Sequence, residues 1–427
     1  MTERKVRIGI TVLIDKPSDS LFTNGIRQNV IILRDLFAKC KNVSESYIIN
    51  TAKNVVIPDD DTTTWGPYAK HIISLEEAKD KCDLIVMAQG SAHIDVYREL
   101  SKKGIKITKH IMGAELNVFN ETILFKDNKE ARNLYTRNAG TVSNVWISPH
   151  FFDTDRYFFE TQYDCEAVVG PYVWDPRFIQ HHIDIFKSKD ANETGLYKPS
   201  GKLEKRLSTM EPNINMVKTS AVPIMTTERL YRKSPETLDK LSVFCGDGIK
   251  KKTDMVNFVK ELDSYKAGKM FFEARYPIVW TLLKHTDIVL CHQHQCALNY
   301  LYLDAAWMGY PVVHNSEYMK ELGWYYDGND VEKAAEYLKN IAYNFDNENH
   351  QNEEYIKKSR AFAYRYMIDN PENIRGYEKL IDKAMNNKWG ILYGKRSRKN
   401  QQEQQAKTNN KRKTRKEKGK ERRKEIN

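Results

Sequence analysis

Apolar and polar positions alternate along the first 186 residues as they do in proteins built from strands and helices. Short apolar runs, which predict buried strands, occur at residues 6–14, 46–50, 83–88, 106–112 and 142–148. Between them, apolar side chains at helical spacing predict helices at residues 25–40 and 92–103. Such alternation is typical of a parallel sheet covered by helices. We therefore expect a first α/β domain.

The same pattern returns after a polar segment. Residues 187–205, KSKDANETGLYKPSGKLEK, are charged, contain Gly and Pro, and predict an interdomain linker. Further strands are predicted at residues 207–210, 241–245, 270–273, 287–290 and 311–313. Helices are predicted at residues 254–265, 277–284 and 297–308, with another that starts near Asn215 and carries Lys218 in its first turns. A second α/β domain is therefore expected.

Charge changes this picture only at the carboxyl end. Residues 395–427 hold 15 of the 68 Lys and Arg and 4 of the 57 Asp and Glu, so the preceding residues hold 53 of each sign. The basic segment has no apolar periodicity and is predicted to be disordered. Because the body has no net charge, it offers no overall electrostatic footprint for a polyanion, and possible polyanion contact is confined to the tail.

The predicted fold class is therefore α/β, with two Rossmann-like domains facing a cleft, C-terminal helices and a disordered basic tail. The predicted divisions are a first, acceptor domain at 1–186, a linker at 187–205, a second, donor domain at 206–346, bracing helices at 347–392 and the tail at 393–427.

The six cysteines predict where the protein resides. They are scattered through apolar segments, which favours reduced, buried thiols and a cytoplasmic setting over a disulfide framework. No segment approaches the ~18 consecutive apolar residues of a membrane-spanning helix.

Residues 287–327 place several polar groups at the ends of two predicted strands. A strand, a helix and a second strand form a right-handed unit that binds ligands at the carboxyl ends of its strands. Those ends carry His292, His294, Gln295, His314 and Asn315.

These residues also carry a family resemblance. Asp304, Ala305, Gly309 and Pro311-Val312-Val313 have the spacing of the segment E-A-x-x-x-G-x-P-V-[VI] in the second domain of GT-B glycosyltransferases. The longer run HQ…NYLYLDAAWMGYPVVHNSE resembles a little-characterised, glycosyltransferase-like family of bacteria and large DNA viruses. Segments of that family also resemble SLFTNGIRQN, EPNINMVKT and FEAR, which start here at Ser20, Glu211 and Phe272. The likeness covers residues 6–380.

The resemblance implies a fold, an activity and a donor site. The implied activity is transfer of a sugar from a nucleotide-diphosphate sugar to a glycan or other hydroxyl, without a cofactor or metal. Asp304 and His294 would orient the sugar as catalytic residues. The other candidate donor-binding residues are Asn215, Lys218, Arg275, Gln295, Asn299, His314, Asn315 and Glu317. If the source is a virus, the host cytoplasm or the virion is the expected location.

The first domain supplies the candidate acceptor residues. Gly25 opens a helix without a Cβ in the way, so a ligand could approach its free N–H groups beside Asn24 and Gln28. Gly113 and His150 follow other strands and would face the same cleft. The alternative is that each is an ordinary turn or capping residue.

Two other classes of function remain open. Related transferases carry a first Glu about eight residues before the second, and here Cys296 or Gln295 stands there. The body could therefore be a catalytically inactive GT-B-like binding protein. Alternatively, the protein could bind polyanions through its basic tail.

Overall fold

Two parallel β-sheets form the framework of the protein. The computed structural model describes residues 5–23, 25–60, 62–90, 92–125, 140–346 and 349–386. The predicted tail at 393–427, with its proposed polyanion contact, lies outside these residues. The predicted fold class is confirmed in the described part of the chain.

The first sheet has seven strands in the order β3-β2-β1-β4-β5-β6-β7, all parallel. The strands are β1 Val6–Val12, β2 Val43–Asn50, β3 Ile72–Ser74, β4 Leu84–Met87, β5 Lys106–Ile111, β6 Asn144–Ile147 and β7 Ala167–Val169. Its helices are α1 Gly25–Lys39, α2 Ala78–Lys81, α3 Ile94–Lys102, α4 Glu115–Phe125 and α5 Pro149–Tyr163.

The second sheet has six parallel strands in the order β10-β9-β8-β11-β12-β13. The strands are β8 Lys205–Thr209, β9 Leu238–Val243, β10 Met270–Phe272, β11 Ile288–Leu290, β12 Val312–His314 and β13 Trp324–Tyr325. The remaining helices are α6 Arg177–Lys189, α7 Ala221–Lys233, α8 Thr253–Lys260, α9 Asp263–Lys266, α10 Ile278–His285, α11 Tyr300–Trp307, α12 Val331–Asn344, α13 Asn349–Tyr364 and α14 Pro371–Asn386.

The strand order reverses once in each sheet, between β1 and β4 and between β8 and β11. At such a switch point the connections leave in opposite directions, which opens a crevice beyond the carboxyl ends of the strands. The loops after β1, β8 and β11 therefore begin where a ligand is expected.

Helix α6 and the segment after it belong to the packing of the second domain. Ile179 and Ile183 of α6 and the following Tyr197 are buried in the same cluster as the strands of the second sheet. The predicted division at residue 186 therefore falls inside a helix. Residues 190–204 are irregular, as expected for a linker, but Tyr197 fixes them to the core.

The last helix returns to the first domain. Tyr377 and Ile381 of α14 are fully buried in one cluster with Val30 and Leu33 of α1. The C-terminal segment thus spans both domains, and Tyr377 donates a hydrogen bond to the Pro171 carbonyl at 2.8 Å.

Some local expectations were wrong. The helix expected near Asn215 begins only at Ala221, and α11 begins at Tyr300, three residues later than expected. The short strands β3, β7 and β13 were missed because two or three residues carry no periodic signal. Gly309 ends the helix segment as expected: its φ is +85° and a Cβ there would lie 2.7 Å from Ile356.

A buried ion pair joins the linker to the second domain and yields a first prediction. The side chains of Lys205 and Asp346 are 1% and 6% exposed and form an ion pair. Asp346 also accepts a hydrogen bond from the Tyr197 hydroxyl at 2.6 Å. Asp346→Ala would leave a buried ammonium without its partner, so the free energy of unfolding should fall by about 3–5 kcal/mol in denaturant titration.

Asp369→Ala is the matched control. It removes an ion pair between Lys39 and Asp369, whose side chains are 42% and 59% exposed, respectively. The free energy of unfolding should therefore change by less than about 1 kcal/mol. Equal effects of the two substitutions would show that the buried pair does not anchor the linker.

Candidate functional site

A cleft of about 880 Å³, part of it open to solvent, lies between the two domains. Its lining residues come from the loops after β1, β8, β9, β10 and β11 and from α1, α10 and α11. The lining residues are Phe22, Gly25, Gln28, Met210, Pro212, Lys218, Phe244, Cys245, Arg275, Tyr276, Ile278, Thr281, Asn299, Tyr300, Leu301 and Asp304. Six residues proposed from the sequence are thus brought together: Gly25, Gln28, Lys218, Arg275, Asn299 and Asp304.

Two cations face this cleft. Lys218 is half-buried and Arg275 is exposed, and within the described part of the chain neither side chain has an ion-pair partner. Cations that are not neutralised by the protein raise the local positive potential. The cleft can therefore attract an anion with several negative oxygens.

Asn213 shapes the loop that carries Lys218. Its backbone is left-handed, with φ of 54°, and its side-chain oxygen accepts a hydrogen bond from the Ser220 amide at 2.8 Å. The backbone N–H of Asn213 donates a hydrogen bond to the Lys218 carbonyl at 3.2 Å. Asn tolerates this conformation better than most residues. Lys218 is therefore placed by a closed loop before α7 and not by the first turn of a helix, which corrects the expectation from the sequence.

Asp304 lies on α11, and one of its two carboxyl oxygens is held by a residue outside that helix. The Trp174 indole N–H donates to Oδ1 at 2.8 Å. Burial raises the pKa of Asp304 to about 7, against the opposing effect of this hydrogen bond. Asn299 precedes α11 and caps it by accepting a hydrogen bond from the Leu301 amide at 3.2 Å.

Glu211 is a candidate residue that sequence reasoning did not single out. It follows β8, is fully buried, and accepts a hydrogen bond from the His292 amide through Oε1 at 3.2 Å. Its Oε2 has no hydrogen-bond partner among the described residues. Burial raises its pKa to about 7, although Lys218 and the His292 amide favour the ionised form. A Glu directly after a buried strand, seven residues before Lys218, is the signal that could have revealed it.

His314 and Asn315 support loops and do not reach the cleft, which corrects their proposed role in donor binding. Both are buried, and the His314 ring nitrogens bond to the Leu322 carbonyl and the Ser316 amide. Asn315 exchanges hydrogen bonds with the Gln293 backbone at 2.9 and 2.8 Å. Their polar groups are already satisfied, so none remains for a ligand.

His294, Gln295, Asn215 and Glu317 also lie outside the lining of the cleft. Strand β11 ends at Leu290, as predicted, and His294 and Gln295 lie in the segment that follows it. His294 and Gln295 are exposed, and the His294 amide donates to the Val217 carbonyl at 2.8 Å. Glu317 is exposed and accepts a hydrogen bond from Gln293 at 3.2 Å.

His150 lies in the seam between the domains rather than in the cleft lining. Burial lowers the pKa of His150 to about 3, and the charge of Lys218 adds to this effect. The Tyr318 hydroxyl of the second domain donates to the Pro149 carbonyl at 3.0 Å. His150 is therefore neutral and close to the phosphate-binding candidate Lys218. Gly113 faces open space, and Asn24 lies outside the described residues.

The cysteines and histidines form neither disulfides nor a metal cluster in the described structure. All six cysteines are free, and five of them are buried as expected, whereas Cys245 is half-buried at the cleft. Across the described ranges, no three His, Cys, Asp or Glu side chains are arranged to hold a metal ion. None of the described helices is long and apolar enough to cross a membrane.

Solved structures with a similar fold are glycosyltransferases. The pneumococcal O-GlcNAc transferase GtfA, in complex with UDP and GlcNAc, has a TM-score of 0.53 at 9% identity, covering 90% of this chain and 100% of that chain. Anabaena HepE in complex with UDP has a TM-score of 0.53 at 12% identity, covering 88% and 99%. Sucrose-phosphate synthase from Thermosynechococcus elongatus has a TM-score of 0.53 at 9% identity, covering 88% and 98%.

These likenesses show that the chain has the GT-B fold. A search of curated proteins finds no match. Residues 8–381 match the model of the family described as "Protein of unknown function (DUF2827)", and the chain therefore belongs to that family.

Proposed function

We propose that this protein is a glycosyltransferase that moves a sugar from a nucleotide-diphosphate sugar to a hydroxyl of a glycan or other acceptor. The observation that carries the proposal is the pair of unneutralised cations, Lys218 and Arg275, in the cleft between two Rossmann-like domains. The same cleft contains a carboxyl group, Asp304, within a segment that resembles the donor-binding segment of GT-B enzymes.

The cations would act on the leaving group. During transfer, the bond between the anomeric carbon and the diphosphate oxygen breaks, and the acceptor oxygen forms the new bond and loses its proton. Negative charge then accumulates on the departing diphosphate. Lys218 and Arg275 can stabilise this charge directly, because fixed cations in a cleft need little reorganisation. We propose that donor binding needs no divalent cation.

Asp304 would recognise the sugar or the ribose. A carboxylate accepts hydrogen bonds from hydroxyl groups, and Trp174 fixes its orientation at 2.8 Å. His294 was expected to share this role, but it is exposed on the loop after β11. Asp304 is therefore the residue on which sugar selection would depend. Gly25 and Gln28, which line the cleft, remain the candidates for the acceptor side.

The titles of similar structures suggest which donors to test first. The pneumococcal enzyme was solved with UDP and GlcNAc, and Anabaena HepE with UDP. UDP-sugars are therefore the first choice for a binding screen. A ligand at 100 times its dissociation constant should stabilise the protein by about 2.7 kcal/mol.

A sugar-binding protein without turnover is the second candidate. The position of the first Glu of related transferases is held by Gln295, an exposed residue without a charge, or by Cys296, which is 6% exposed and packed among apolar residues of the first domain. A thiol in that environment cannot replace a carboxylate towards a sugar hydroxyl. Donor binding without transfer to any acceptor would favour this candidate.

Substitutions at the two ends of the donor site should have different effects. Lys218→Ala removes a charge-assisted contact to phosphate, typically about 1.5–3 kcal/mol, so affinity for UDP and for a UDP-sugar should fall tenfold to a hundredfold alike. Asp304→Asn should leave UDP affinity within about threefold, because a carboxylate offers an anion no favourable contact. It should instead reduce discrimination between UDP-sugars or lower turnover.

Isothermal titration calorimetry with UDP and UDP-glucose is the measurement. Lys260→Ala, at the exposed end of α8, is the matched control and should bind as the wild type does. If Lys218→Ala also behaves as the wild type, the phosphate site is elsewhere.

Removal of divalent cations provides a separate test. With the site residues proposed here, excess EDTA should change UDP affinity by less than about twofold, because the charge of the diphosphate is balanced by side chains. A loss of binding that magnesium restores would contradict metal-independent donor binding.

A further inference from the structure

The unpaired carboxyl oxygen of Glu211 has no role in the function described above. Glu211 is 0% exposed, and its Oε2 lacks a hydrogen-bond partner in the described residues. A buried ionised carboxyl group without full hydrogen bonding is costly, so such groups in folded proteins usually have a partner or lose their charge. Its two chain neighbours, Met210 and Pro212, line the donor cleft, so its position calls for an explanation in terms of ligand binding.

Lys218 is the one charged side chain that acts on Glu211 within the described structure. The two side chains belong to the same loop, which Asn213 closes, yet they form no ion pair within 4.0 Å. The Lys218 ammonium can therefore bind a ligand in the cleft, although it still interacts electrostatically with Glu211. Conversely, apart from the His292 amide, the group that stabilises Glu211 as an anion is a cation that a phosphate would also attract.

The other titratable groups around Glu211 are neutral near pH 7. Burial raises the pKa of each thiol and phenol in this set above its ordinary value: Cys245, Cys291, Tyr302 and Tyr326. Burial also lowers the pKa of His292 to about 4, and its ring bonds to the Tyr326 hydroxyl at 3.0 Å. Within this cluster, Glu211 is thus the group that can exchange a proton near neutral pH.

We propose that Glu211 is a positioning residue for Lys218 and that binding of a nucleoside diphosphate is coupled to uptake of one proton by Glu211. This inference rests on the proposed donor site. The proton comes from solvent and binds to the carboxyl group of Glu211; no other bond changes.

The coupling follows from electrostatics in a buried site. When Glu211 is ionised, it attracts the Lys218 ammonium and cancels part of its positive field in the cleft. An arriving diphosphate competes for the same ammonium and adds negative charge nearby, so the ionised form of Glu211 becomes less stable. Protonation removes the repulsion and leaves Lys218 fully available to the phosphates.

The direction of the pH effect is fixed by the raised pKa of about 7. Below this pH Glu211 is neutral, and above it the carboxylate opposes anion binding. Affinity for a diphosphate should therefore decrease as pH rises from 6.5 to 8.5. If binding raises the pKa by about one unit, the decrease over this pH range is about sixfold.

Glu211→Gln separates this effect from folding. Glutamine keeps the size and an acceptor oxygen but cannot ionise, so the variant resembles the protonated form at every pH. The pKa of Glu211 is raised from 4.5 to about 7, so the wild type loses stability progressively as pH rises from about 4.5 to 7, whereas the variant does not. The variant should therefore melt at a higher temperature than the wild type at pH 8.5, and the difference should shrink towards zero as pH falls to about 4.

The decisive experiment is calorimetric titration of the full chain with UDP in buffers of different ionisation enthalpy at pH 7.5. The wild type should take up about 0.5 proton per site more than Glu211→Gln, as expected for a pKa that rises from 7 to 8. The comparison uses one ligand throughout, so the titration of UDP itself cancels. Asp304→Asn should retain the uptake, which excludes the second acid of the cleft.

Further arms define the site. With inorganic pyrophosphate, the wild type should take up the same excess of protons over Glu211→Gln as with UDP. With uridine there should be no excess. Glu204→Gln, an exposed residue away from the cleft, should behave as the wild type. Glu211→Asp keeps an ionisable group and should keep a pH-dependent affinity, which a purely structural role would not require.

The possible failures are distinguishable. UDP binding with equal proton uptake in the wild type and Glu211→Gln would overturn the coupling and leave the donor site intact. If neither protein binds UDP, pyrophosphate or any UDP-sugar, both the donor site and the coupling are wrong.

Discussion

Parallel strand direction is the constraint on which the rest of the structure depends. In each domain all strands run the same way, so their carboxyl ends and the loops that follow lie at one edge of the sheet. The two edges face each other across the cleft. This explains why Phe22, Met210, Cys245 and Arg275, which are distant in sequence, line one space. The chemistry of the site is therefore assembled from loops, whereas the sheets supply its geometry.

The segment at Val173 and Trp174 connects residues from both sides of the cleft through hydrogen bonds. The Tyr300 hydroxyl donates to the Val173 carbonyl at 2.8 Å and accepts from Asn29 of α1 at 2.6 Å. The next residue, Trp174, holds Asp304. Asp304 is consequently oriented by a residue that directly follows this interdomain contact and is itself buried in the core of the second domain.

Lys218 in the cleft differs from cations elsewhere that are neutralised by carboxylates. Lys205, which is buried, pairs with Asp346, and Arg206, which is half-buried, bonds to Asp287 at 2.7 Å. Lys218 has no such partner in the described chain, and Glu211 lies near it without pairing. Burial without pairing destabilises the ionised carboxyl group, and such perturbed groups are concentrated at functional sites. This contrast, more than the net charge, distinguishes the cleft from the rest of the molecule.

The sequence by itself determined the two-domain α/β architecture and part of the site. Strand and helix periodicity are local, so β1, α1, β5 and the stop at Gly309 could be found without the structure. Lys218 and Arg275 were proposed because they follow predicted strands, whose ends converge in a parallel sheet, and Asp304 was proposed from the resemblance to GT-B glycosyltransferases. Only the tertiary structure decided that the polar groups of His314 and Asn315 are satisfied by loop hydrogen bonds and that Glu211 is buried near an unpaired cation. These outcomes depend on contacts between residues distant in the chain, and hydrophobic periodicity carries no information about which loops meet or which polar groups they satisfy.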